Sequence, residues 1–130
     1  NPDFPAAAAL GAAVVDLFAQ GGPPAVGARI RTTLAELLDR ARRAGAEVLL
    51  DGLDPGERAG IGAFRLPGHD PATVHRSLEA AGVITTRRGE WIRMSPHVTT
   101  PGAAADLLAD ALRTLTHRTT PLQEPTCPTI

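Results

Sequence analysis

The sequence has no lysine and no tyrosine, a single cysteine, a single tryptophan and no long apolar run. Each shortage excludes something. All 13 basic side chains are arginine, so no side-chain amine is available for imine chemistry with a carbonyl substrate or cofactor. A lone cysteine, Cys127, cannot form an internal disulfide, and a reducing, cytoplasmic setting is expected. The apolar stretches are interrupted by Asp, Gln, Gly or Arg before they reach the roughly 20 residues of a spanning helix. No basic region precedes Ala6 to Val15, so no signal peptide is expected either. A net charge of −1 argues against a dedicated nucleic-acid binder. No histidine pair at i,i+4 and no cysteine pair suggests a metal site, and P-loop, Gly-x-Ser-x-Gly and dinucleotide fingerprints are missing. Asn1, in place of Met, reads as an internal position of a longer chain.

The 130 residues, 43% of them apolar, suit one domain. Leu10, Val14, Leu17 and Phe18 recur at helical spacing, which predicts a helix over 6–20, stopped by Gly21-Gly22-Pro23-Pro24. Ile30, Leu34, Leu37, Leu38 and Ala41 form the stripe of a second helix over 26–44, with Gly45 after it. A short strand over 47–50, a surface loop over 51–60 and a strand over 61–66 follow. Asp70 caps a third helix that opens on Pro71 and runs to about Ala81, with Val74, Leu78 and Ala81 inward. Strands over 83–86 and 91–95 are joined through Arg87-Arg88-Gly89-Glu90. A last helix over 101–115 turns Leu107, Leu108, Ala111, Leu112 and Leu115 inward. From Thr116 the chain holds three Pro and five Thr, so 116–130 is expected to be a mobile tail. The predicted fold is α+β in two layers: a mostly antiparallel sheet of three or four strands with helices on one face, in the order ααββαββα. The two N-terminal helices look long for such a sheet and are expected to reach beyond it.

From Gly60 onward the motifs resemble the end of a class V aminotransferase. The run Gly60-Ile61-Gly62-Ala63-Phe64 is similar to the family's Gly-Ile-x-x-Phe strand. Asp70-Pro71 with Val74-His75 and Leu78 is similar to its short helix, and Gly82-Val83-Ile84 to its Gly-Ile/Val strand. Arg93-Met94-Ser95-Pro96-His97 is similar to its Arg-x-Ser-Pro-His strand end. Asn1-Pro2 and the Ala-rich helix resemble, more weakly, the stretch after the family's phosphate-binding Gly-Thr. The resemblance covers residues 1–115 and implies the C-terminal small domain of a pyridoxal-phosphate enzyme. The cofactor-binding lysine and the rest of the large domain would lie outside this chain, and family members are usually homodimers. Val83-Ile84-Thr85-Thr86 with the Arg93 motif looks most like the ergothioneine-pathway C–S lyases; an epimerase or a transaminase would share the arginine. The family's desulfurase branch carries a cysteine between the last two strands, and none stands there.

The resemblance implies that Arg93 grips the carboxylate of an amino-acid substrate. A guanidinium is a planar two-pronged donor that fits a carboxylate, and fixing its orientation lowers the barrier. The alternative reading of Arg93 is a solvated strand arginine. Thr85 and Thr86 are candidate substrate contacts or plain strand threonines. His97 either lines the site mouth or holds local backbone. Trp91 shares the strand face of Arg93 and suits packing or stacking. Arg87 and Arg88 read as solvated charge or an anion contact. Two further classes are expected to be testable. A winged-helix nucleic-acid-binding module would use the helix over 70–81 and the following hairpin, although that helix is poor in basic residues. A regulatory α/β domain would bind a free amino acid through Arg93 without a cofactor.

Overall fold

The computed structural model describes residues 3–54 and 56–118. Its elements run α1 (Phe4–Ala19), α2 (Gly22–Arg43), β1 (Glu47–Val48), β2 (Gly62–Arg65), α3 (Pro71–Ala80), β3 (Thr86–Arg88), β4 (Trp91–Met94) and α4 (Ala104–Arg118). The strands form one antiparallel sheet in the order β1-β2-β4-β3. This is the α+β order that the sequence predicts. α2 packs on β1 and β2, α3 on β3 and β4, and α4 lies against α2 and α3.

Local chemistry accounts for the element ends. The Asp70 carboxylate accepts hydrogen bonds from the Thr73 N–H at 2.9 Å and the Ala72 N–H at 3.4 Å. These satisfy donors that a helix start leaves open, and Pro71 at the first position forfeits none. α3 ends at Gly82, whose φ of +81° is the left-handed conformation that glycine adopts without a Cβ clash. The Gly82 N–H then donates to the Glu79 carbonyl and the Val83 N–H to the Leu78 carbonyl, both at 2.9 Å. That pair of bonds is a Schellman closure. Gly22-Pro23-Pro24, expected to separate the first two helices, instead opens α2, where prolines lose no helical bond.

Alternation in the strands and periodicity in the helices converge on one core. Phe64, Ile92 and Met94 reach it from the sheet and Val74 and Leu78 from α3. Leu34, Leu37, Leu38 and Ala41 reach it from α2, and Leu108, Leu112 and Leu115 from α4.

Several expectations fail for local reasons. Leu107 and Ala81 are exposed: Leu107 stands on the flank of a stripe centred on Leu108 and Leu112, and Ala81 is the cap residue beyond the last turn of α3. The strand expected over 83–86 starts only at Thr86, because the Schellman bond holds Val83 back and leaves Ile84 82% exposed. Arg87 and Arg88 belong to β3, and the turn is Gly89-Glu90 alone. Gly89 has φ +60°, as the first residue of a two-residue turn with primed geometry requires. β1 stops at Val48; Leu49 still donates to the Ala63 carbonyl at 2.9 Å, and Leu50, at φ +54°, turns the chain away. Residues 116–118 continue α4 rather than starting a tail, and 119–130, with Cys127, lie outside the described residues, as do Asn1 and Pro2.

α1 reaches beyond the sheet, as its length predicts. None of its residues is buried, and Phe4, Leu10, Val15 and Phe18 are each 65–73% exposed. The helix bends 71° away from α2 and packs on that helix, clear of the core. Among the described residues no single helix is long and apolar enough to cross a membrane.

Candidate functional site

With Ile92 and Met94 buried in the core, the alternation of β4 turns Trp91 and Arg93 to the opposite face of the sheet. Strand pairing sets their neighbours. Ala63 and Thr86 stand directly across from Arg93, and Arg88 stands across from Trp91. The Arg65 guanidinium lies 5.3 Å from the Trp91 ring centroid, a cation–π distance, and is ion-paired with Glu47 at 2.6 Å and Glu90 at 3.4 Å.

Residues 49–54 and 56–61 run beside this face and bound a half-open cavity of about 410 Å³. Its walls are mainly apolar, with Leu53 and Ile61 from the loop and Trp91 from the sheet; Arg58, Arg88, Arg93 and Glu57 carry its charges. The loop is anchored by Arg42 from α2 and by Arg58, which also lines the cavity. Asp51 takes a two-pronged contact from Arg42, through Nε at 3.2 Å and the terminal nitrogen at 2.5 Å. Arg58 lies 3.9 Å from Asp51 and donates to the Leu50 carbonyl at 3.0 Å. That bond helps hold Leu50 in its left-handed backbone, which costs a non-glycine residue about 1–2 kcal/mol.

The Arg42 hydrogen bond lowers the Asp51 pKa below its ordinary value, and the Thr73 hydroxyl and N–H do the same for Asp70. A depressed carboxylate contributes stability that is complete above its unfolded pKa, about 3.9, and disappears as pH falls through the folded value. Thermal stability is therefore expected to fall with acidification below about pH 4. The double variant Asp51→Asn, Asp70→Asn should show a shallower fall in melting temperature between pH 5 and pH 2.5 (about the range over which such groups titrate). An unchanged slope would remove both groups from the account.

Neither the Arg88 nor the Arg93 side chain has a hydrogen bond or ion pair with a described residue. Glu57 is the one carboxylate in the cavity wall, and it accepts from the Asp54 N–H at 3.1 Å. Three arginines against one glutamate make the cavity locally positive in a chain of net charge −1. Such a site suits an anionic group attached to an apolar body.

Of the four residues singled out in the sequence, Arg93 lines the cavity and Thr86 pairs beside it. Thr85 sits elsewhere. It lines a second cavity of about 320 Å³ with Met94 and Leu107, and its carbonyl faces His75 Nε2 at 3.1 Å. Its hydroxyl is buried without a partner among the described residues. His97 lines neither cavity. Its backbone N–H donates to Thr100 Oγ1 at 2.8 Å and its Nδ1 lies 3.0 Å from Thr99 Oγ1, so it organises a local turn. Sequence reasoning missed Arg58, Glu57 and Leu53. The available signal was the run of leucines at 49, 50 and 53, too apolar for a loop facing only water. Neither a protein-family model nor a curated protein sequence matches this chain.

Proposed function

We propose that this chain is the small domain of a pyridoxal-phosphate enzyme similar to the class V aminotransferases, and that Arg93 holds the carboxylate of its amino-acid substrate. The observation that carries the reading is Arg93 itself. It is half-buried, has no partner among the described residues and stands beside Trp91 in the cavity wall on the sheet face opposite the core. A guanidinium held on a strand and shielded on one side by apolar surface makes stronger hydrogen bonds to a carboxylate than one in open water. Thr86, directly across, offers a hydroxyl on the same face.

The residues here fit the substrate and not the cofactor. With no lysine in the sequence, the covalent anchor for pyridoxal phosphate must come from outside this chain, and with it the electron-withdrawing ring that drives the reaction. The exposed apolar surface of α1 supports the same reading, because a helix this apolar is expected to rest on another body. A C–S lyase is the proposed branch, on the Val83-Ile84-Thr85-Thr86 and Arg93-Met94-Ser95-Pro96-His97 motifs.

The test is genetic. Coding sequence read upstream of Asn1, and in the neighbouring genes, is expected to encode a lysine-bearing cofactor domain. A locus with none in either place would overturn the proposal.

One observation favours a second reading, a cofactor-free module that binds a free amino acid. Glu57 and Arg93 line the same cavity with opposite charges, a match for ammonium and carboxylate together. Saturable calorimetric binding of amino acids to the chain alone, lost in Glu57→Gln, would favour it.

A further inference from the structure

We infer that Arg88 is a second anion-binding residue of the same cavity, and that the ligand is an amino acid whose side chain carries a further acidic group, for which aspartate and glutamate serve as probes. The inference rests on the reading of Arg93 as the carboxylate grip. Its basis is the position of the turn. With Gly89-Glu90 as the whole connection, Arg88 falls inside β3, opposite Trp91, and its side chain joins the cavity wall. Arg93 lies two residues further along β4, a diagonal spacing of about 7–8 Å across neighbouring strands. Two guanidinium groups thus flank the Trp91 ring in one cavity.

The surrounding acids do not neutralise them. Glu47 and Glu90 are held by Arg65, and Asp51 by Arg42 and Arg58. An edge strand often carries charges simply to stay soluble, and Arg87 fits that role, since it points to the other face and is exposed. Arg88, although exposed like Arg87, differs in lining a half-open, mainly apolar cavity beside another unpaired cation. A ligand with one negative group leaves two like charges close together. One with two anionic groups satisfies both, and the apolar wall receives the methylene chain between them.

Trp91 is the only tryptophan and the sequence has no tyrosine, so the intrinsic fluorescence of the full chain reports on this cavity directly. The probes are L-glutamate and L-aspartate, with L-glutamine and L-asparagine as neutral isosteres, titrated at low salt to about 50 mM, above the millimolar range of weak sites. Each acid is expected to bind about tenfold tighter than its amide, since the second anion adds a charge-assisted bond. Arg88→Gln should reduce that preference to within about twofold, mainly by weakening acid binding. Arg93→Gln should weaken acid and amide alike. Circular dichroism confirms folding of both variants. Equal affinity for acid and amide in the wild-type chain, or a preference that survives Arg88→Gln, would overturn the role of Arg88 and leave Arg93 standing. No response to any probe, or binding indifferent to Arg93→Gln, would overturn the carboxylate grip and this inference with it.

Discussion

Replacing Phe64 with alanine is expected to cost about 3–5 kcal/mol of folding stability, a large part of the ~5–15 kcal/mol that holds a small domain together. Phe64 is wholly inaccessible to solvent and lies mid-sheet, paired with Val48 on one side and Ile92 on the other. Its ring is surrounded by aliphatic side chains from the helical layer, and a backbone tied into two ladders cannot collapse to fill the space. The deletion therefore loses the transfer energy of the ring and adds a cavity. Urea titration should show the unfolding midpoint displaced to low denaturant, with little native baseline remaining. Phe18→Ala provides the internal contrast. That ring is 65% exposed on α1, so its removal should shift stability by no more than about 0.5 kcal/mol. Equal losses at the two positions would mean that α1 is packed as tightly as the sheet.

The second large effect is functional. On the proposed carboxylate role, Arg93→Met in an enzyme assembled with its cofactor domain is expected to reduce kcat/KM for an amino-acid substrate about 30- to 150-fold, the equivalent of ~2–3 kcal/mol for a charge-assisted, two-pronged contact. Methionine retains most of the apolar stem, so packing against Trp91 survives and the loss is attributable to the guanidinium. Cofactor absorbance should be unchanged under the same proposal, since a chain without lysine supplies no side-chain amine for the cofactor's imine. Arg93→Lys is expected to recover only part of the rate, because an ammonium presents a point charge where the carboxylate needs a fork. The most discriminating measurement is the corresponding amine without its carboxylate, whose turnover should be nearly indifferent to the substitution. Kinetics that do not change for the amino acid would end the carboxylate assignment.

The helical layer was legible in the sequence because its signals are local and redundant. Asp70-Pro71 and Gly82 bracket α3, and the stripe through Leu34, Leu37, Leu38 and Ala41 runs far enough to define a face. The buried residues of β4 follow from simple alternation. The hairpin was harder. Arg87-Arg88-Gly89-Glu90 is polar throughout, so composition alone spreads the turn over four residues, while the left-handed Gly89 needs only two. That shift of two positions moves Arg88 from the turn into β3 and the cavity wall, so only one of the two readings its sequence allows, the anion contact, fits its place. The stretch 51–60 was recognisable as a loop, but periodicity does not say which way a loop folds. Its direction is fixed by Arg42, Asp51 and Arg58, which come from separate stretches and meet only in three dimensions.

The isolation of α1 has a consequence for how the molecule breathes. Helices of 16 residues are marginal in water on their own, and this one has little beyond α2 to lean on. Opening it exposes no core side chain, so its amide protons exchange with deuterium through local fraying while those of β2, β4 and α4 wait for global unfolding. The chain therefore has two tiers of exchange protection, divided at Gly21-Gly22. Whatever body covers the apolar surface of α1 will be detectable as slowed exchange in the first tier alone.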